Sequence, residues 1–544
     1  MAGDPRLPGG IGGGGVDRIS GLTDDLLGHI LSFMPVRDAV RLSALSRRWR
    51  GAWAHAPVLN ISDELHPDRF LDFAGAALAR YGQPDIPSLD VTIGRRSSLG
   101  PATAAWLRGA MEHVVGSIRV KVDRHTPALD QLVLPRSLRA RAMTLDLSGD
   151  VLSKGVLVLP EPAEPAAFRR LTELSLSSVR LQVQADRLGE FLSSCFPQLR
   201  KLRLRKVCNV AAKPRLWPLM LDMDMLEELE VDSIHQLSVL QVVAPKLRLL
   251  TVRHSFESLA LLRADIVFKV SAPGLEAISW TGWFPKQLNF LPDAQCVRRL
   301  SGIIVDWPSI SWADYCLPGV VQLLETCSGA DRLDLSVDIY DGWIPSMVSK
   351  QDFMERMPHL PNIRTLSLTI VTILRFLRSP IGEIVFCFLR RCPNLTLLHI
   401  DLSTLHQFTR QDPHYLVFPD DDAETKPAKP CQDREYDPPK AHKYQLQLAS
   451  LRKIRISGFA GTDAEMELAD LLFGIGAERS ALERIFISSF AQLKDRIGRI
   501  AHKMRARFPL AGGRWETSPL EEITWTKNND GLERSNALRS TIIT

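Results

Sequence analysis

The stretch FLRRCPNLTLLHI, Phe388–Ile400, contains the pattern that decides the fold. Phe388 and Leu389 precede two arginines and Cys392, and a Pro-Asn pair separates these from Leu395, Leu398 and Ile400. Apolar residues two apart place their side chains on one face of a strand, and a Pro-Asn pair is typical of a turn. The stretch therefore predicts a helix that ends at the cysteine, a short turn and a half-buried strand.

The same apolar-x-x-apolar-x-apolar motif recurs along the chain. It starts at Ile86, Ala142, Leu171, Leu199, Leu226, Leu247, Leu275, Leu300, Ala330, Ile363, Leu395, Leu451 and Leu482. From Ala142 to Leu395 the starts lie 21 to 33 residues apart, a period typical of leucine-rich repeats. Each repeat is one strand with a helical or irregular return, and it is stable when a neighbour stacks on it. We therefore expect residues 56–450 to form a curved solenoid, similar to the repeats of plant F-box proteins.

The N-terminal run DRISGLTDDLLGHILSFMPVRDAVRLSALSRRWRGAW, residues 17–53, predicts three short helices. Thr23 is a suitable N-cap for the first, and Asp24 and Asp25 are favourable in its first turn. The second helix is expected at Arg37–Leu42 and the third at Ser46–Ala54. Since three short helices cannot bury a large core, much of their apolar surface must face another molecule.

This run resembles the plant-type F-box, in which three helices pack against the Skp-type adaptor of Skp–cullin–F-box ubiquitin ligases, which also contain a cullin. The resemblance implies that the adaptor contacts the apolar positions of the run, which are Leu22, Leu26, Leu27, Ile30, Leu31, Met34, Pro35, Val40, Leu45 and Trp49. The chain has Thr23 where the family usually has proline, which leaves the adaptor affinity open. A second open point is whether Trp49 touches the adaptor or braces the helices.

Arginines and tryptophans alternate between Ser43 and Trp53, as in nucleic-acid sites. However, the net charge of the chain is only +5, and a dedicated nucleic-acid binder has a stronger clustered excess. Trp49 also lies four residues after Leu45, so it continues an apolar stripe. We therefore expect no nucleic acid as partner, and no membrane either, because no apolar run is long enough to span one.

Two features are candidates for substrate binding. Lys201, Arg203 and Arg205 alternate with leucines in LRKLRLRK (Leu199–Lys206) and predict an outward basic strip for an acidic peptide, a phosphate or an anionic small molecule. Trp280 and Trp283 belong to a group rich in tryptophan, a residue common in binding hot spots. The alternatives are a solvated polar face for the strip and core filling for the tryptophans.

The chain has no signature of catalysis, and we expect no cofactor and no metal. Its eight cysteines form no Cys-x-x-Cys pair, so they are expected to be free thiols buried between repeats in a reducing compartment. The N-terminus carries no apolar signal segment and no apolar run is long enough to span a membrane. Together these features predict a cytoplasmic or nuclear protein.

The domain organisation follows from these patterns. We expect a disordered Gly-rich tail at residues 1–16, the F-box at 17–54, repeats at 56–450 with a mobile insertion near 409–442, and a C-terminal helix and tail at 490–544 that is loosely ordered beyond about 512. Residues 451–489 predict a strand, a turn, a helix and a strand, and resemble the FBD region that often ends plant F-box/leucine-rich-repeat proteins.

The fold class is therefore α/β, with a small three-helix F-box followed by a leucine-rich-repeat solenoid. By this resemblance the chain is a non-catalytic substrate-recognition subunit of a Skp–cullin–F-box ligase, whose repeats bind the protein to be ubiquitinated. The alternative is a leucine-rich-repeat scaffold or ligand sensor outside any ligase, with an F-box weakened by Thr23.

Overall fold

A computed structural model of the chain describes most of its repeats and most of its N-terminal helical block. The described residues are 21–42, 49–62, 69–94, 100–122, 131–147, 155–159, 167–181, 187–209, 217–234, 236–256, 266–285, 287–291, 294–306, 313–339, 353, 355–372, 381–402, 446, 448–477, 481–489, 497–508, 513–517 and 522–527. The expected N-terminal tail (1–16) and insertion (409–442) lie outside them. The chain divides into two compact units, one of residues 1–184, 194–199 and 205–211, the other of residues 185–193, 200–204 and 212–544.

The helices are short and distributed along the chain. They are α1 (Asp24–Ser32), α2 (Val36–Leu42), α3 (Trp49–Ala52), α4 (Phe70–Arg80), α5 (Pro101–Glu112), α6 (Arg187–Cys195), α7 (Ala313–Thr326), α8 (Ile381–Arg391), α9 (Asp463–Ala477) and α10 (Ile497–Arg507). A 3₁₀ turn, Trp53–His55, follows α3, and another, Ala294–Cys296, precedes β18. No helix in the described part of the chain is both long and apolar enough to cross a membrane.

The strands alternate with these helices and with each other. They are β1 (Val58–Ser62), β2 (Ile86–Ile93), β3 (Val114–Val122), β4 (Gln131–Val133), β5 (Ala142–Asp146), β6 (Gly155–Val158), β7 (Glu173–Ser177), β8 (Val179–Leu181), β9 (Lys201–Arg205), β10 (Cys208–Asn209), β11 (Trp217–Asp222), β12 (Glu228–Asp232), β13 (Leu237–Val243), β14 (Leu249–Arg253), β15 (Val267–Ser271), β16 (Ala277–Thr281), β17 (Gln287–Leu291), β18 (Arg299–Asp306), β19 (Arg332–Ile339), β20 (Thr365–Thr372), β21 (Leu397–Asp401), β22 (Lys453–Phe459), β23 (Arg484–Ser489), β24 (Gly513–Thr517) and β25 (Glu522–Lys527).

In the first unit the strands β1, β2, β3, β5 and β7 pair in parallel and in this order. The register aligns Leu59, Leu89, Ile118, Met143 and Leu174, all of which are buried. Because the aligned positions are apolar in every strand, the side chains of neighbouring strands bury one another. A second parallel sheet is formed by β4, β6, β8 and β10.

In the second unit the strands β12, β14, β16 and β18–β23 form a longer parallel ladder, and β9 pairs with β12 at its start. One row of this ladder consists of Leu229, Leu250, Ile278, Leu300, Leu333, Leu366, Leu398, Ile454 and Ile485. Every member of the row is at most 1% exposed. The sequence motif is thus confirmed as a strand motif, since each of its copies forms a strand at the expected place.

The returns between these strands differ with repeat length. Repeats whose motifs start 21 to 28 residues apart in the second unit return through β11, β13, β15 and β17, which pair into a parallel sheet. Where starts lie 30 to 32 residues apart, the helices α7, α8 and α9 fill the return. The sequence expectation of a helix or an irregular return was therefore wrong for the short repeats, because a short return pairs with its neighbours as a strand more readily than it closes three helical turns.

The C-terminal region confirms one expectation and corrects another. Residues 451–489 form β22, α9 and β23 as expected, and Thr462 caps α9 together with Glu465, whose carboxylate accepts from the amide of Thr462 at 2.9 Å. The residues beyond 512 are not loosely ordered throughout. Instead, β24 and β25 form an antiparallel pair, and β25 joins β23 with Ile523 and Trp525 buried.

Candidate functional site

One face of α1 is apolar and exposed. The exposed fractions are 50% for Leu26, 38% for Ile30 and 75% for Phe33. These residues are four and three positions apart, so they lie on one side of the helix. The His29 ring contacts the Phe33 ring edge-on, with 5.0 Å between centroids. We call Leu26, Ile30 and Phe33 the α1 apolar face, and such an exposed group is a feature of an interaction surface.

The opposite face of α1 is buried in the N-terminal block. Leu27 is 0% exposed and Leu31 is 2% exposed, and α1 contacts α2, α3 and β1. Gly28 lies within 3.8 Å of Ala56, measured from an ideal Cβ position. The expectation that Leu27 and Leu31 touch the adaptor is therefore corrected, because their side chains are enclosed by their own domain.

Thr23 begins α1 as its N-cap, as the sequence predicted. Its Oγ1 accepts a hydrogen bond from the amide of Leu26 at 3.4 Å, and its carbonyl accepts from the amide of Leu27 at 3.0 Å. Asp24 and Asp25 are exposed in the first turn, where their charge is favourable. The helix therefore starts without the proline that is usual in plant F-boxes.

The remaining predicted adaptor residues lie around these faces. Leu22, Met34, Pro35, Val40 and Trp49 are half-buried, and Leu45 lies outside the described residues. Trp53, rather than Trp49, is the buried tryptophan of the block. Phe33 was missed from the sequence, although its position seven residues after Leu26 fits the helical spacing of the exposed face.

The predicted basic strip faces an acidic strand. Lys201 Nζ lies 3.2 Å from a carboxylate oxygen of Glu228. Arg203 lies 3.6 Å from Glu228 and 3.6 Å from Glu230. Arg205 is exposed. Lys201 and Arg203 are therefore already compensated by carboxylates of β12, so the strip is not a free basic surface.

The two candidate tryptophans have different environments. Trp280 is 0% exposed and its ring packs against Phe256, Phe268 and Phe284. The expectation of a substrate contact is corrected for Trp280, because the ring fills the core between repeats. Trp283 is half-buried, and it stays a candidate.

A polar row crosses three strands of the second ladder. The ring of His399 on β21 lies 3.4 Å from the hydroxyl of Ser367 on β20 and 3.2 Å from that of Ser457 on β22. Burial lowers the pKa of His399, although the charge of Asp401 acts in the opposite direction. A neutral imidazole can accept from one serine and donate to the other, so this row holds the strands in register.

Four of the described cysteines are buried, as expected, namely Cys195, Cys327, Cys387 and Cys392. The expectation is wrong for Cys296, which is exposed, and Cys208 is half-buried. Burial raises the pKa of Cys327 and of Cys392 to about 12 and that of Cys387 to about 11. Within the described part of the chain, no group of three or more histidine, cysteine or acidic residues is placed to hold a metal ion.

These environments predict selective thiol labelling. At pH 8 a maleimide should modify Cys296 within minutes, because its thiol is exposed and accessible to the reagent. Cys327 and Cys392 should be modified only in denaturant, since at a pKa of about 12 few of their thiols are thiolates. Peptide mass spectrometry of the labelled chain measures this, and equal native rates at Cys296 and Cys327 would contradict the buried placement.

Comparison with known proteins finds a domain match in the N-terminal block. Residues 19–59 match the F-box domain family. This range contains the α1 apolar face. A putative F-box/FBD/LRR-repeat protein of Arabidopsis thaliana is 25% identical over 87% of this chain and 90% of its own length. The chain is thus similar to plant F-box proteins with leucine-rich repeats and an FBD region, and its match to the F-box domain lies at residues 19–59.

Two other Arabidopsis thaliana relatives align over less of the chain. An F-box protein is 30% identical over 34% of this chain and 54% of its own length. A putative FBD-associated F-box protein is 30% identical over 51% of this chain and 61% of its own length. The chain thus spans 54%, 90% and 61% of the lengths of these three relatives.

Proposed function

We propose that the chain is the substrate-recognition subunit of a Skp–cullin–F-box ubiquitin ligase. In this proposal α1–α3 form a three-helix F-box that docks on the Skp-type adaptor, and the parallel strand ladders stack as a leucine-rich-repeat solenoid that binds the protein to be ubiquitinated. The observation that carries the proposal is the α1 apolar face. It is exposed, although Leu27 and Leu31 on the same helix are buried.

The contribution of such a subunit is proximity rather than bond chemistry. A substrate held by the repeats reaches the conjugating enzyme at a high effective concentration once the F-box is bound to the remaining subunits. This role requires no cofactor and no metal. It places the protein in the cytoplasm or the nucleus. In this proposal the expected residues Leu26 and Ile30 form the adaptor contact together with Phe33, which the structure adds. The half-buried Leu22, Met34, Pro35, Val40 and Trp49 brace it.

The alternative is a scaffold or ligand sensor that acts outside a ligase. Thr23 motivates it, because this residue replaces the usual proline of the family. The N-cap hydrogen bond of Thr23 to the amide of Leu26 favours the ligase function instead, since it keeps the start of α1 intact.

Co-purification with a Skp-type adaptor tests the proposal. The tagged wild-type chain should retain the adaptor through a gel-filtration column as a one-to-one complex. Thr23→Pro should change the affinity less than about threefold, because proline at this position leaves the exposed α1 apolar face in place. If the wild-type chain binds no adaptor and Thr23→Pro restores binding, the scaffold alternative replaces the ligase function.

A further inference from the structure

The positively charged side chains of the parallel ladder in the second unit have different environments at its two ends. At its start, Lys201 and Arg203 on β9 are paired with glutamates of β12. On β22 and β23, by contrast, Arg452, Lys453, Arg455 and Arg484 are all exposed on the polar face and the preceding turn. We call these four residues the β22–β23 cationic cluster. Because its four cations are exposed, this cluster offers a surface for an anionic ligand, which the compensated cations Lys201 and Arg203 do not.

Strand register places like charges side by side in this cluster. Lys453 and Arg484 are direct partners across β22 and β23, where neighbouring strands lie ~4.8 Å apart. Like charges at opposed positions destabilise a sheet. An anion bound between them would remove this repulsion.

The other two members extend the positive surface. Arg455 lies on the same face as Lys453, two residues further and thus ~6.6 Å along the strand. Its guanidinium carbon is 5.5 Å from the centre of the Phe486 ring, which orients it above the sheet. Arg452 is 3.6 Å from Glu483. In the part of the chain that the structure describes, this is the one ion pair of the cluster.

The position of the neighbouring acids restricts the ligand. Asp401 on β21 is the strand partner of Ser457, two residues after Arg455, and Glu483 directly precedes Arg484. A continuous phosphate backbone crossing the face would meet these carboxylates as well as the cations. Separate carboxylates on an extended peptide can instead be placed at the cations alone, because side chains two residues apart repeat at ~6.6 Å, like Lys453 and Arg455.

We propose that the β22–β23 cationic cluster binds an acidic segment of the captured protein. The proposal rests on the substrate-receptor function for the identity of that protein, but the binding itself does not depend on an adaptor. The segment is extended and carries carboxylates at alternate residues. Lys453 and Arg455 bind two of these carboxylates, and Arg484 lies beside the first.

The test uses the full chain and a fluorescein-labelled peptide of about ten residues, in which glutamate alternates with glycine. Fluorescence anisotropy should show saturable binding that weakens as salt is raised. Lys453→Gln with Arg455→Gln should weaken it about tenfold or more, because two charge-assisted contacts are lost. The matched control, Lys201→Gln with Arg203→Gln, removes the same charge from the compensated strip and should change the affinity less than about twofold.

Several results would overturn the assignment. These are no binding to the wild-type chain, equal losses in the two double variants, or equal affinity for a peptide with glutamine in place of glutamate. Displacement of the peptide by single-stranded DNA at lower concentration than by unlabelled peptide would assign the cluster to nucleic acid instead.

Adaptor co-purification is measured on the same preparation, so a chain that binds adaptor but not peptide refutes this inference alone. A chain that binds peptide but no adaptor refutes the ligase function and leaves the peptide site standing.

Discussion

Leu26→Asp is expected to abolish co-purification with the Skp-type adaptor while the chain stays folded. Half of the Leu26 side chain is exposed, so its replacement leaves no cavity in the domain. In a complex, however, the aspartate would carry a charge into an apolar contact. Loss of a central apolar anchor weakens an interface by about 2 kcal/mol or more, which is roughly thirtyfold. Co-purification with the tagged chain detects the loss of the complex, and isothermal titration calorimetry measures the change in adaptor affinity.

Two further variants separate docking from folding. Leu249→Asp alters a leucine of the second unit that is 43% exposed, so it controls for the introduction of a charge on an exposed leucine. It should leave adaptor affinity unchanged. Leu27→Asp places the same charge at a side chain that is 0% exposed, and circular dichroism should show loss of helix. Adaptor affinity of Leu26→Asp equal to that of the wild-type chain would refute docking through the α1 apolar face.

The contrast between Leu26 and Leu27 shows what the sequence could predict about this site. Helical spacing identified α1 and its N-cap Thr23, because both depend on neighbours in the chain. Which apolar side is buried depends on β1 and on the turn after Trp53, and helical spacing does not contain these contacts. The exposed face therefore had to be read from the structure, and Phe33 became part of it.

The ladder was more predictable than the site. Burial of one strand face imposes apolar residues at alternate positions, so the motif around Leu398 is visible in the sequence wherever a repeat stacks on another. The outward positions carry no such requirement. Whether Arg203 meets Glu230 or Lys453 meets Arg484 is decided by strand register, which only the structure supplies. The charge density of the strip at β9 predicts a basic surface, whereas the charges of the neighbouring strand determine which of its cations are compensated.

Trp280→Ala is expected to lower the free energy of unfolding of the second unit by about 3–5 kcal/mol. The ring of Trp280 is stacked with those of Phe256 and Phe284, with 5.9 Å and 4.9 Å between centroids, and meets Phe268 edge-on at 5.0 Å. It is 0% exposed, so its removal leaves a cavity bounded by three aromatic rings. Urea unfolding followed by circular dichroism measures the change.

Trp283→Ala is the matched control, because Trp283 is three residues away and only half-buried. It should lower the free energy of unfolding by less than half as much, while a comparable loss in both variants would contradict a specific core role for Trp280.

In a stack of repeats each unit is stabilised by its neighbours. Hydrogen exchange in Trp280→Ala should therefore increase first in β14, β16 and β18, which are paired with each other in the ladder. Exchange in α1 should be unchanged, because the helix belongs to the other unit. The ladder thus predicts a local loss of stability, and adaptor binding should survive the substitution.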